Sequence, residues 1–466
     1  MKWFAQRRRI LVGGASGLAC GIAGGIAAVA LLAGGASGGA REAGDSFITA
    51  GHLPPLLTVP GQRVTLRYAI VCPPAGGDSD AGRPCDGAGI VYIRSGHSGP
   101  FEPLALERSA GSVDGRFFAD VPSAIASSPE GFSYYAVLRD RAHGTEMTLP
   151  AGGAAAPQAS FPLRDAVTVD LGSHVFGSPR RASARVVSTQ WGTGAGDVGL
   201  SGGKTSARIG PSSFDASPDG TVTLLDEINH RVQRWRGGAV VRSVPVDVPA
   251  AADDLAAAPD GSVYVLDGRS SAASTPLLRT FAADGRLVAA RHIAERSWSQ
   301  LRLGPSGPVV QQSPSEQWMP TGDATTAFSR AAQARHGDPG RPLDDGSQLV
   351  VLRAGMGEVR IARVVNGAVR QAWRITSQTP LGEVQVADRT GARVVLVVKA
   401  YTNTQDEFEL LVLDGRGVVK RFSVASSEWA DAAPLARFRL VGPALYQLGS
   451  TPEGAFVDRY DLEGVS

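Results

Sequence analysis

Lysine is nearly missing from this chain: Lys2, Lys204, Lys399 and Lys420 are the only four, and the other 42 of its 46 basic residues are arginine. Cysteine is scarce as well. Of the three, Cys20 lies in an apolar run, and Cys72 and Cys85 share one loop rich in Pro, Gly and Asp. That leaves no cysteine placed as a catalytic nucleophile. There is no GxSxG elbow for a serine hydrolase. Seven histidines are present, His52, His97, His143, His174, His230, His292 and His336, and no two have helical or hairpin metal spacing. Acid is absent before Glu42, whereas Lys2, Arg7, Arg8 and Arg9 cluster at the start. With those four set aside, 42 basic residues face 44 acidic ones, so the bulk of the chain has no electrostatic pull on nucleic acid.

Charge is also absent from Ile10 to Gly35. That run exceeds the ~20 apolar residues that cross a bilayer. Basic residues stay on the cytoplasmic side, which puts the bulk of the chain outside. The expected layout is a cytoplasmic tail at 1–9, a transmembrane helix or signal anchor at 10–35 and a linker at 36–52. The run is longer than the ~7–15 residues of a signal-peptide core, which favours an uncleaved anchor. Secretion after cleavage is the alternative, because Gly38 and Ala40 supply small residues at a cleavage position. Gly13, Gly17, Gly21 and Gly25 recur every four residues and form one smooth stripe on a helix. Two copies can pack closely along such a stripe; the plainer reading is a segment rich in small residues.

From Pro60 the pattern is that of strands. Arg63 to Ile70 alternates, and Ile90 to Ile93, Arg116 to Val121, Ser133 to Leu138 and Val167 to Leu171 follow, with turns between. This spacing predicts a β-sandwich over 53–172. Phe132 to Val137, before Asp140, resembles a late strand of an immunoglobulin-like or fibronectin-like domain. An exported chain makes a Cys72–Cys85 disulfide the default reading; metal binding is the alternative, but two thiols with no nearby His pair make a poor zinc site. Asp78 and Asp80 in the same loop read as solvated acids rather than calcium ligands. A linker is expected at 173–182.

Beyond Ser183, turns recur near Asp219, Asp260, Ser306, Asp345, Thr390 and Gly442, at intervals of 41, 46, 39, 45 and 52 residues. A period near ~40–50 residues with several strands per unit predicts a β-propeller, here six-bladed and spanning 183–466. Arg185 to Ser188 precedes the first turn and is the segment expected to join the last blade, because exposed blade edges are costly. The fold class is therefore all-β: an N-terminal helix, a sandwich, then the propeller.

One stretch is more specific. Trp191-Gly192-Thr193-Gly194-Ala195-Gly196-Asp197 leads to a Pro218-Asp219-Gly220 turn, an aspartate at 226 and Asn229-His230-Arg231-Val232-Gln233. This phrase resembles the NHL repeat, one blade of a propeller. The resemblance implies a fold and a binding surface, and leaves the ligand open. It accounts for the GxGxxG at Gly194 to Gly199, which lacks the strand and helix of a dinucleotide site. Propellers similar to this one include lyases and lactonases with a metal in the central channel. Asp226, Asp267 and Asp414 end strands at similar positions but read as turn-capping residues. The acidic pairs Asp253-Asp254 and Asp344-Asp345 read as solvated turns or strand starts.

The function expected is therefore binding. A membrane-anchored protein would present a loop-built propeller face to a protein, peptide or glycan, with no cofactor and no nucleic acid. The alternative is a lyase or hydrolase with a channel metal. Irregular inserts at Gly268 to Thr275, Gln311 to Pro342 and Tyr401 to Glu407 are expected on one end of the propeller. Trp318 and Met319 in the longest are the candidate contact residues, with packing beneath their own loop as the plainer reading.

Overall fold

The computed structural model describes residues 49–72, 83–84, 86–108, 115–141, 144–150, 152–203, 206–249, 252–267, 277–292, 298–312, 317–321, 339–430 and 437–462. The glycine stripe, Cys85 and the insert at 268–275 lie outside them. Among the described residues no helix is long and apolar enough to cross a membrane, and 10–35 falls outside that set.

Two sheets face each other in the first domain. One runs in the order Thr49–His52, Thr65–Cys72, Arg116–Asp120, Glu107–Arg108; the other in the order Leu57–Thr58, Gln158–Pro162, Phe132–Asp140, Gly87–Ser95, Glu102–Ala105. Alternation sets which side chains meet. Leu66, Tyr68, Ile70 and Phe117 from the first sheet pack on Val91, Ile93, Phe132, Tyr134 and Leu138 from the second. The segment expected as a linker up to residue 52 is partly structural. Thr49–His52 pairs with Tyr68 to Val71, and the His52 ring stacks on Tyr68 at 4.3 Å and bonds the Tyr134 hydroxyl.

Six further sheets form the propeller. Blade one is Ser213–Ala216, Val222–Asp226, Arg231–Arg236 and Ala239–Pro245; blade two is Asp254–Ala257, Val263–Asp267, Leu277–Phe281 and Leu287–His292. Blade three has Trp298–Gly304, Gly307–Gln312 and Gln317–Pro320 among the described residues. Blade four is Gly340–Pro342, Gln348–Gly355, Glu358–Val365 and Ala368–Thr376; blade five is Leu381–Thr390, Arg393–Tyr401, Asp406–Asp414 and Gly417–Ala425. Blade six takes Phe438–Val441, Ala444–Thr451 and Gly454–Asp461 from the C-terminal region and Ala184–Ser188 from before blade one. The ring is thus closed by the segment anticipated, and each anticipated turn joins the first two strands of a blade. At Asp219 the turn needs Gly220 in the left-handed region, φ 80°.

Neighbouring blades share apolar clusters. Phe214, Leu224 and Trp235 of blade one meet Leu448 and Val457 of blade six. Leu225 and Val232 meet Leu255 and Val265 of blade two. Val395 and Leu410 of blade five meet Phe438 and Leu445 of blade six. Each fully buried side chain of this size is worth ~1.5–3 kcal/mol, so the blade-to-blade gaps form the core.

Val167–Asp170 corrects the domain boundary. Read as the sandwich's last strand, it instead adds a fifth, parallel strand to blade four, from Val167 opposite Trp373 to Asp170 opposite Thr376. Nothing in an alternating four-residue run says which sheet will take it. Leu56, Leu57, Phe161 and Leu163 of the sandwich pack on Val350, Ala362, Val364 and Ala372 of the same blade. Arg360 there donates to the Leu57 carbonyl and to Gln62, both at 2.9 Å.

Candidate functional site

The phrase around Asp226 is a staple for the strand that arrives from blade six. Asp226 accepts from Gly199 N–H, Asn229 Nδ2 and Arg231 Nε. Arg231 donates on to the carbonyls of Gly194 and Asp197, Gln233 to Asp197, and Asn229 to Gly192. The lead-in loop is therefore held by backbone bonds to one aspartate and its partners. A Cβ at Gly199 would fall 2.4 Å from the Ile228 Cβ, which is why a glycine stands there. His230 takes φ 50° and bonds the Val248 carbonyl. Asp267 repeats the device in blade two with Arg279, and Asp414 accepts from the turn N–H groups of Arg416 and Gly417. These aspartates are structural, as read.

Down the channel, the innermost strands bring charges together. Asp254 of blade two, fully buried, accepts from Arg439 of blade six at 2.6 Å and Ser213 of blade one at 2.5 Å on Oδ1. On Oδ2 it accepts from Arg302 of blade three at 3.0 Å and Leu301 N–H at 2.7 Å. Asp215 lies 3.6 Å from Arg439, and burial raises its carboxyl above the ordinary range despite that neighbour. Burial and the nearby Arg439 lower Arg302 to about 10. Opposite, Arg341 of blade four pairs with Asp388 of blade five. The reading of Asp253-Asp254 as a solvated strand start is therefore corrected: both are buried. Asp254 is the hub of a four-blade network whose partners lie far apart in sequence.

This donor set does not fit a divalent cation. Both Asp254 oxygens are taken, and Asp215 and Asp388 each face a guanidinium. A cation would sit among three arginines. Among the described residues no group of three His, Cys, Asp or Glu is placed to hold a metal.

The channel mouth at the end where the innermost strands begin is different. Register shifts at Leu381, Val384 and Val386 mark bulges on blade five's innermost strand, and bulges re-aim side chains. Glu383 stands among them and is exposed. Gln385, Arg353, Lys399 and Arg437 lie around its carboxyl. Arg437 of blade six is 2 % exposed; its Nε pairs with Glu428 at 3.1 Å and its backbone N–H with Gln385, while Nη2 has no hydrogen-bond partner. Lys399 bridges Asp406 and Glu428. Beside them Trp191 and Trp429 lie 5.8 Å apart, both half-buried, with Arg208 4.5 Å above Trp429. An exposed carboxyl with basic neighbours and two half-buried indoles offer a ligand both charge and apolar surface.

Of these residues the sequence singled out only Trp191, as the start of the repeat phrase and not as part of a site. The two candidate contact residues, Trp318 and Met319, occupy a strand of blade three rather than an exposed loop and are 7 % and 8 % exposed. This corrects their reading as contact anchors. Met319 joins Leu278 and Leu301 in the core between blades two and three, and Gln317 beside them bonds Gln158 of the sandwich at 2.9 Å. The insert expected to share one end is also split. Gln312 is paired with Gln317 at the end where Thr402 to Gln405 turns, as expected, whereas Thr321, later in the same insert, is bonded to Pro308 at the opposite end.

No protein-family model matches the chain, and no curated protein matches it. Solved structures similar to it include virginiamycin B lyase from Staphylococcus aureus, at 10% identity and TM-score 0.32 over 54% of this chain and 95% of that one. Another is the PQQ-bound aldose sugar dehydrogenase of Streptomyces coelicolor, at 10% identity and TM-score 0.33 over 60% and 99%. A third is regucalcin, a calcium-binding protein from Agrobacterium tumefaciens, at 12% identity and TM-score 0.32 over 64% and 96%. Likenesses this distant speak at most to fold, and the assignment rests on the sheet order above. The class is a β protein with a two-sheet domain docked on a six-bladed propeller.

Proposed function

We propose that this is a membrane-anchored, extracytoplasmic binding protein whose propeller captures a protein, peptide or glycan at the channel mouth between blades five, six and one. In this reading residues 10–35 are the anchor and Gly13, Gly17, Gly21 and Gly25 a face for self-association. Cys72 and Cys85 form a disulfide in an immunoglobulin-like sandwich, and the blades are of the NHL type. The carrying observation is the contrast within the channel. In the channel Asp254 and Asp388 are each paired with a guanidinium, while at the mouth Glu383 and Arg353 are both exposed and Trp191 and Trp429 are half-buried.

Capture from solubilised native membranes by the full-length chain tests it. Glu383→Ala with Arg353→Ala, both exposed, should abolish capture without moving the melting temperature. Undiminished capture by the double variant would place the ligand elsewhere. A stoichiometric metal in the purified protein, or a large thermal shift on adding calcium or zinc, would instead favour the lyase or hydrolase reading. N-terminal sequencing that begins near Arg41 would show secretion rather than anchoring.

A further inference from the structure

Between the two domains the chain crosses blade five as a strap. Leu171 N–H is bonded to Thr376 of blade four at 2.8 Å, and Gln378 N–H to the Gly172 carbonyl at 2.9 Å. Arg180 N–H is bonded to Ser423 of blade five at 2.7 Å, and Ser183 N–H to Arg459 of blade six at 2.8 Å. In its middle, His174 turns inward and is 6 % exposed. Its Nε2 is 3.0 Å from Glu407 Oε2 and its Nδ1 is 3.8 Å from Glu409 Oε2. Glu407 Oε1 accepts from Gly177 N–H at 2.7 Å, so one carboxylate grips the strap twice.

The charges around this ring do not balance without it. Blade five's third strand contributes Glu407 and Glu409, 8 % and 2 % exposed; its fourth strand contributes Arg421, whose Nε pairs with Glu409 Oε1. Phe176, 4.5 Å away edge-on, and Thr379, bonded to His174 N–H, add no charge. Burial works to raise Glu407, but hydrogen bonds from Ser423, Gly177 N–H and His174 outweigh it and hold the carboxyl below the usual range. Two buried carboxylates therefore face one guanidinium, and Glu409 Oε2 has no hydrogen-bond partner. A neutral imidazole donates from one nitrogen, an imidazolium from both. Only the second form both supplies the missing charge and turns a donor toward each glutamate.

We propose that His174 is a proton-operated latch: as imidazolium it bridges Glu407 and Glu409 and clamps the interdomain strap to blade five, and as neutral imidazole it releases one of them. The sign follows from linkage. Bridging two carboxylates takes a donor on each ring nitrogen, so loss of one proton opens the latch as pH rises.

Hydrogen exchange on the full chain, corrected for the intrinsic pH dependence of amide exchange, reads it. Protection of the strap amides of Gly177 and Arg180 should fall roughly tenfold from about pH 5.5 to about pH 8. The Val232 amide of blade one should not change. His174→Gln should show the weakened protection at both pH values. Glu409→Gln, which keeps the shape but removes the second carboxylate, should flatten the pH dependence with the strap still closed. Equal protection of the native strap at both pH values, or a pH dependence that survives in either variant, would overturn the latch.

Discussion

Arg439 and Asp254 stand 185 residues apart in sequence and are joined by a 2.6 Å bond. The bond spans blade six and blade two without passing through an apolar contact. The side chains of both are nearly free of solvent, 4 % and 0 % exposed. A buried pair of this kind is a weak source of net stability and a strong source of specificity against misassembly, because either partner alone is costly. Asp254→Asn takes the paired carboxylate from Arg302 and leaves Arg439 with Asp215 at 3.6 Å. It should cost roughly 3–5 kcal/mol in urea unfolding; a loss below about 1 kcal/mol would mean that water reaches the channel centre.

Glu227 gives a pH dependence of known sign. It is fully buried, with Oε2 accepting from Ser212 N–H, and burial lifts its carboxyl from 4.5 to about 8. The folded state therefore keeps a proton that the unfolded chain gives up. Its stability is complete below about pH 4.5 and declines as pH rises toward about 8. Glu227→Gln has no such proton. The stability of this variant relative to the native chain should grow with pH, by up to ~1.4 kcal/mol per unit, and level off above that range. Denaturation curves that stay parallel at acid and alkaline pH would contradict the assignment.

Ring closure separates two kinds of contact on one strand. Arg185 pairs with Asp458 and lies 3.9 Å above the Phe456 ring, but its side chain is 49 % exposed. Arg185→Ala should cost less than about 1 kcal/mol. Val187, two residues on, is 1 % exposed within the cluster shared by blades six and one. Val187→Asp should cost roughly 3 kcal/mol or more and open the ring, read as increased proteolysis between blades six and one.

Trp318→Ala should behave as a core truncation and lower stability by roughly 3–5 kcal/mol. A variant with unchanged melting temperature would mean that the indole is not packed.

What was legible in the sequence was whatever a local signal could carry. Pro218-Asp219-Gly220 and Asp284-Gly285 must turn, so the blade period could be counted, and Arg185 to Ser188 stood out as a strand with no partner nearby. The parallel strand at Val167 was not legible as part of blade four, since its alternation suits any sheet with one open edge. Trp318 was misplaced because its strand, Gln317–Pro320, has only four residues and reads as part of a loop. The channel network was invisible for another reason. Asp254, Arg302 and Arg439 are three ordinary polar residues until six strands bring them to one axis, and an acidic pair in sequence looks the same whether water or guanidinium will surround it. Arg437 and Glu383 were hidden in the same way.

The strand Ala184–Ser188 completes a blade whose other three strands end at Asp461. During synthesis that places a waiting period in the life of the chain. Residues 184–188 emerge early, with their partner strand still unmade, and must stay unpaired while five blades form behind them. Until Gly454–Asp461 arrives, the arc is an open sheet stack with an exposed edge at each end, the state most prone to pairing with another copy. The arrival of Gly454–Asp461 is thus the step that turns a sticky arc into a ring.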